Sequence, residues 1–152
     1  MARTRAVDFE EKQRGILSSA AAVFAEMGME KASMSQIASH SNVSKALLYH
    51  YYPSKDALIF DIVRTHLTEL ANAIEAADQP DVAPQARLRL LVKAVLANYE
   101  GRDNEHKVQL NGTSALSPEQ LSELQAIERQ IVKRFSGVIR DINPDLNKDR
   151  PL

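Results

Sequence analysis

The chain has 152 residues, with 19 Lys+Arg against 20 Asp+Glu, a formal net charge of −1, 44% hydrophobic residues and 26% charged ones. That length suits one domain or two small lobes and argues against a large multidomain enzyme, while the charge balance excludes a protein that coats nucleic acid by bulk charge, so any polyanion must meet a local basic surface. The absence of cysteine removes disulfides, thiolate zinc sites and cysteine nucleophiles, and the lack of any apolar run near the membrane-spanning length, or of a leader over Met1–Gln13, makes the cytoplasm the expected compartment, with no membrane partner.

In chain order, Phe9, Gln13, Ile16, Leu17, Ala20, Val23, Phe24 and Met27 recur at steps of three and four, which places their apolar members on one face of a helix that Gly28 stops. Ser33-Met34-Ser35-Gln36 has the form of a capping box, with the serine closing the helix start and the glutamine reaching back. This second helix is short, ending near Ser41, and Asn42 stands where a left-handed turn residue belongs. Ser44 caps a third helix through Tyr51, and Pro53 breaks it. Ser54 caps a fourth carrying Ala57, Leu58, Ile62, Val63, Leu67, Leu70 and Ile74, free of glycine and proline until Pro80.

Asp78–Pro84 reads as a linker. A fifth helix follows with Leu88, Leu91, Val92, Val95, Leu96 and Tyr99 on its stripe and ends at Gly101, and a weaker sixth spans Asp103 to about Asn111. Ser117-Pro118-Glu119-Gln120 is a second capping box, with proline at the first helical position. It opens a long seventh helix through Leu121, Leu124, Ile127, Ile131, Phe135, Val138 and Ile142, closed by Asn143-Pro144. With no alternating β pattern and no repeat, the expected fold is all-α.

Residues 33–55 carry the functional signal. Two short capped helices about a tight turn at Asn42-Val43 form a helix-turn-helix pattern, with Ile37, Ala38, Val43 and Leu48 placed to fill the angle between them. The second helix is the reader, with Ser44, Lys45, Ala46, Leu47, Tyr49 and His50 as its exposed positions. Small Ala46 permits close approach, hydroxyl and ammonium groups grip phosphates, and a leucine meets a thymine methyl. Lys55 and the first amides after Ser54 make a second phosphate site. Replacing Lys55 is therefore expected to weaken binding to all sequences alike and to lower its salt slope by about one.

The run Val43-Ser44-Lys45-Ala46-Leu47-Leu48-Tyr49-His50-Tyr51-Tyr52-Pro53-Ser54-Lys55-Asp56-Ala57-Leu58 resembles the signature of the tetracycline-repressor (TetR) family. The likeness extends upstream through Ile16-Leu17, Ala20, Phe24, Gly28 and Ser33 to Ile37-Ala38, covering residues 10–62. It implies a three-helix DNA-binding domain over 1–54, followed over 55–152 by a helical domain that binds a small molecule and dimerises. DNA contacts are implied at Ser33 or Ser35, Ser44, Lys45, Ala46, Leu47, Tyr49, Tyr51 and Lys55, with positions 45–47 nearest the bases and Tyr49 and Tyr51 on phosphates. Many members have glycine where this chain has Asn42 and Ala46, phenylalanine where it has Tyr52, and a polar residue where it has Leu47.

The function expected is a ligand-responsive transcriptional regulator, most simply a repressor, which binds a palindromic double-stranded DNA operator as a homodimer and is released by a small apolar or amphipathic effector. It calls for no cofactor. The alternatives are a DNA-binding protein without an effector and a helical interaction scaffold. Catalytic motifs such as HExxH, a Walker loop or a serine elbow are absent, so an enzyme is not expected.

Other residues keep two readings. His40, His50, His66 and His106 lack metal-ligand spacing and read as surface or capping residues, so no metal is expected. Tyr49, Tyr51 and Tyr52 can be packing; Tyr52 reads as core, whereas Tyr49 and Tyr51 cannot both point inward with Leu48 and Tyr52. Arg3 and Arg5, ahead of the first helix, read either as a basic arm reaching DNA or as a disordered tail. Leu88, Leu91, Tyr99, Leu110, Ile127, Ile131 and Phe135 would line an effector cavity or build an ordinary bundle core. The family resemblance implies two more helices that pair across a two-fold axis, and Pro151 has the form of a first helical residue, so the dimer element is expected to be missing, the chain being a fragment or part of a longer product, or else the seventh helix pairs instead.

Overall fold

The computed structural model describes residues 2–146, and the helix start expected at Pro151 lies outside them. Seven helices follow in order: α1 (Ala2–Met27), α2 (Met34–His40), α3 (Lys45–Tyr51), α4 (Lys55–Ala77), α5 (Pro84–Tyr99), α6 (Asp103–Gly112) and α7 (Pro118–Ile142), with a short 3-10 turn at Thr113–Ala115 before α7. No strand occurs among the described residues, so the all-α expectation holds. Six helices begin within a residue or two of their expected starts. The exception is α1, which starts at Ala2 rather than near Phe9. Its first turns lie outside the apolar stripe that the periodicity reads, and Arg3 and Arg5 sit on a helix rather than on an arm.

The described residues form two compact units. One comprises the chain up to His66 together with Arg102–Leu121, and the other Leu67–Gly101 with the chain from Ser122 onward. The first unit is built on the α1 stripe. Ile16, Ala20, Ala21 and Phe24 are at most 1% exposed, and they share the interior with Ile37, Leu48, Leu58, Ile59, Ile62 and Val63. Burying each large aliphatic side chain stabilises the fold by about 1.5–3 kcal/mol. Gly112, at the end of α6, is required by close approach, because a Cβ there would lie 2.9 Å from Cγ2 of buried Ile59.

In the second unit Leu70, Ile74, Leu91 and Val138 form the core, with Leu88, Val95, Tyr99, Ile131, Phe135 and Ile142 packed against it. The bundle-core reading of Leu88, Leu91, Tyr99, Ile131 and Phe135 is the observed one. In the first unit Leu110 is 66% exposed. The Asp78–Pro84 linker is anchored at its first residue. The Asp78 carboxylate takes two hydrogen bonds from Arg87, at 2.9 and 3.0 Å, and one from Arg134 at 2.9 Å, so one buried acid ties the end of α4 to α5 and α7. Arg87, then Arg134, hold this carboxyl below the ordinary carboxylate range against the opposing effect of burial. A lowered folded pKa means the contribution is fully present above the unfolded value and is lost as pH falls through the folded one. Asp78→Asn is therefore expected to flatten the loss of stability below about pH 4, which melting curves across the acid range would show; a variant with the wild-type acid slope would remove Asp78 from the account.

Candidate nucleic-acid interface

The two short helices are shaped by their caps. The Ser33 Oγ accepts from the Gln36 N–H at 3.2 Å while the Ser33 N–H donates to the Gln36 Oε1 at 2.9 Å, the reciprocal pair read from the sequence. At the other end of α2, Asn42 takes φ 56°. The Asn42 N–H donates to the Ser39 carbonyl at 3.1 Å and the Val43 N–H to the Ala38 carbonyl at 3.0 Å, the two bonds of a Schellman stop with asparagine in the left-handed position that glycine usually fills. Ser44 then caps α3, its Oγ accepting from the Leu47 N–H at 3.0 Å. Ile37 and Leu48 are fully buried and Ala38 is 3% exposed, so three of the four residues expected to fill the angle do so completely; Val43 is half-buried.

Leu48 is the only α3 residue that is buried. Ser44, Lys45, Ala46, Tyr49 and His50 are exposed, as are Ser33 and Ser35 at the start of α2. Leu47 and Tyr51 are half-buried, so the leucine presents less surface than its place among the exposed positions required. Tyr49, at 43% exposure, and Ser33, Ser54 and Lys55 line one open cleft of about 580 Å³. Ser35, Ser44, Lys45, Ala46, Leu47, His50 and Tyr51 lie outside it.

Lys55 has a different occupation from the one expected. Its Nζ donates to the carbonyls of Met29, Glu30 and Ala32 at 2.8, 3.1 and 3.0 Å. An ammonium has three protons and no acceptor, so all three are engaged in closing the loop after α1, and the phosphate role is withdrawn from this side chain. Ser54 does cap α4, accepting from the Ala57 N–H at 3.1 Å. Lys55→Met is expected to destabilise the chain by about 2 kcal/mol, on the scale of hydrogen bonds from a charged group. It should leave the salt slope of DNA binding unchanged; a slope reduced by one with an unaltered melting temperature would restore the phosphate role.

Three further arrangements escaped the sequence reading. Tyr52 is buried at 5% exposure, and its hydroxyl donates to the Asp61 Oδ2 at 2.5 Å while accepting from the Gln13 Nε2 at 3.1 Å. Arg64 completes the set with a 2.7 Å bond to the Asp61 Oδ1. Burial, then the bond to Asp61, pushes the Tyr52 phenol far above its ordinary pKa. The signal was available as a polar pair: a tyrosine hydroxyl on a residue read as core, and an aspartate beside Ile62 on the apolar side of α4. Secondly, Phe9 stacks on Tyr51 with ring centroids 4.9 Å apart and planes at 27°. Thirdly, the rings of His66 and His106 lie 6.4 Å apart, His66 at 2% exposure. Among the described residues no group of three His, Cys, Asp or Glu side chains is placed to hold a metal ion, and no helix is long and apolar enough to cross a membrane.

An all-α chain with a Schellman-turned pair of short helices, one displaying polar and basic side chains, is of the helix-turn-helix class. Comparison with known proteins makes the class specific. Residues 16–62 match the family described as bacterial regulatory proteins, tetR family, and residues 81–148 match the tetracyclin repressor-like C-terminal domain. A TetR-family transcriptional regulator from Bordetella parapertussis superimposes with a TM-score of 0.81 at 30% identity, over 89% of this chain and 70% of that one. AibR, solved in complex with isovaleryl coenzyme A and operator DNA, gives 0.76 at 25% identity, over 93% and 76%. The Escherichia coli K12 transcriptional regulator RutR is 34% identical over 94 residues, 62% of this chain and 43% of its own length. The Mycolicibacterium smegmatis transcriptional activator FasR is 24% identical over 144 residues, 94% and 66%. The chain belongs to the TetR family of bacterial regulatory proteins, and the non-enzymatic reading stands on that membership. It spans between a third and two thirds of the length of the first curated relatives it matches.

Proposed function

We propose that the protein is a ligand-responsive transcriptional regulator that binds a palindromic duplex operator as a homodimer, with α3 in the major groove, and acts in the cytoplasm. Residues 1–54 serve as the DNA-binding domain and residues 55–152 as the effector-binding and dimerisation domain. The observation that carries this reading is the two-sidedness of α3: Leu48 anchors it in the core, while Ser44, Lys45, Ala46, Tyr49 and His50 stand exposed on a helix narrow enough for the groove. Lys45 and Ala46 face base edges, with Leu47 contributing its exposed part. Ser33, Ser35, Ser44, Tyr49, His50 and Tyr51 supply phosphate and sugar contacts, which fix register without reading sequence.

A dimer places two such helices about 34–36 Å apart, one turn of DNA. A small apolar or amphipathic effector in the helical domain shifts that spacing and lowers operator affinity, a coupling of two sites through geometry. AibR has been solved with operator DNA and isovaleryl coenzyme A, which makes that thioester the first compound to titrate. The sign of the response is read as repression, and the relative FasR, an activator, makes a reporter assay necessary. The packing of Leu88, Tyr99, Ile131 and Phe135 against the core at Leu70, Ile74, Leu91 and Val138 favours a second reading, a DNA-binding protein without an effector.

The test is binding of the purified chain to its own upstream DNA across a salt series, with solution mass measured on the same sample. Sequence-selective binding by a dimer, weakened by isovaleryl coenzyme A or another apolar ligand, is the expected result. Selective binding that no ligand alters supports the second reading. Weak, purely salt-driven binding by a monomer overturns the operator-binding dimer.

A further inference from the structure

One face of α1 can be followed residue by residue toward the end of α3. Ile16 is buried, the Gln13 Nε2 donates to the Tyr52 hydroxyl at 3.1 Å, and Phe9 stacks on Tyr51 at 4.9 Å. At about 100° per residue, Ile16 and Gln13 lie within about 40° of Phe9 around the helix axis. The same stripe continues to Arg5, about 40° from Phe9 and one turn, about 6 Å, further along. Lys12 lies about 60° from Phe9 on that side, whereas Asp8, Glu10 and Glu11 are turned about 100° or more away, and Arg3 about 120°. Arg5 and Lys12 therefore flank the edge that meets α3, whereas Arg3 and Arg14, the latter about 140° from Phe9, lie on the side of Glu10 and Glu11. Phe9 remains 50% exposed, and its ring is stacked on that of Tyr51.

We propose that Arg5 is a phosphate ligand for duplex DNA, carried beside the C-terminal end of α3, and that Phe9 is the positioning residue that holds it there through Tyr51. The inference rests on the DNA-binding reading above. A guanidinium at that place donates a two-pronged pair of hydrogen bonds to a phosphate, and the contact adds affinity without sequence preference. Because α1 is helical from Ala2, it also separates the two arginines: Arg5 is on the interface stripe and Arg3 is off it.

The probe is a mixed-sequence duplex of about 30 bp, titrated with the full chain by fluorescence anisotropy from about 50 to 300 mM salt, since phosphate contacts need no operator. Arg5→Ala is expected to lower the salt slope by about one for each protomer bound, and Arg3→Ala to leave it unchanged. Phe9→Ala should lower the slope like Arg5→Ala with a melting temperature close to wild type, Phe9→Tyr should restore it, and the Phe9→Ala/Arg5→Ala double variant should lose no more than either alone, as coupled residues do. Amide exchange in residues 6–12 should quicken in Phe9→Ala while that of residues 16–27 stays put. An Arg5→Ala variant with the wild-type slope overturns the inference, as do equal losses from Arg3→Ala and Arg5→Ala or unchanged exchange in Phe9→Ala. A wild-type chain that binds no duplex overturns the DNA-binding reading and this inference with it, whereas an unaffected Arg5→Ala on a binding chain overturns this inference alone.

Discussion

Leu48→Ala is expected to destabilise the chain by about 3 kcal/mol, within the range of about 2–5 kcal/mol for emptying a buried leucine site. For a chain of this size that is a fall of about 6–12 °C in melting temperature. The size of the effect follows from how little else holds α3. The helix is seven residues long, below the length at which a helix persists by itself, and Leu48 is its one buried residue. Removing the isopropyl group leaves a void against a core too closely packed to collapse around it. Thermal unfolding followed by far-UV circular dichroism measures the loss, and duplex binding of the same sample should fall with it. A variant that melts within about 1 °C of wild type would show that the caps at Ser44 and Asn42, rather than the buried leucine, hold the helix.

The Tyr52–Asp61 pair gives the second large effect, and it is asymmetric. Asp61→Ala strands the Tyr52 hydroxyl in the interior with its donor unused and removes the acceptor of Gln13 and Arg64, at a cost of about 2–3 kcal/mol. Tyr52→Phe deletes one donor but leaves Asp61 with Arg64 and Gln13, so it should cost about 1 kcal/mol. The ordering, measured as urea midpoints at constant slope, is the checkable quantity. Equal costs would mean that the hydroxyl bond alone matters, and a stabilised Tyr52→Phe would mean that burying the phenol outweighs its bond.

The boundaries from the end of α1 through α7 were legible because these starts and stops are local chemistry. Ser33 with Gln36, Ser117 with Gln120, Pro84 and Pro118 at first helical positions, and Gly28 and Gly101 at φ 87° and 75° act within a few residues of themselves. Asn42 in the left-handed turn was legible for the same reason. The start of α1 was not, since Ala2 to Asp8 carry no cap and no apolar period, and propensity alone has to carry them. Within the candidate site, exposure at Ser44, Lys45, Ala46, Tyr49 and His50 follows from the position of Leu48 on a short helix. The occupation of Lys55 was hidden because its three acceptors are backbone carbonyls 23 to 26 residues away, and a carbonyl has no letter in the sequence. The Phe9–Tyr51 stack was hidden by distance along the chain, and Tyr52 read as core while the destination of its hydroxyl stayed unwritten.

The division of labour along α3 bears on how such a protein changes over generations. Stability is concentrated at Leu48 and in the cap at Ser44, whereas Lys45, Ala46 and His50 are exposed, and exposed positions usually cost no more than about 0.5 kcal/mol on substitution. A lineage can therefore alter the surface that α3 presents by single steps without passing through an unfolded ancestor, and a laboratory library confined to those three positions inherits the same freedom. Position 42 is the opposite case. At φ 56° it admits glycine, asparagine or aspartate with little strain and penalises β-branched residues, so few substitutions at the bend between the two helices leave its geometry intact.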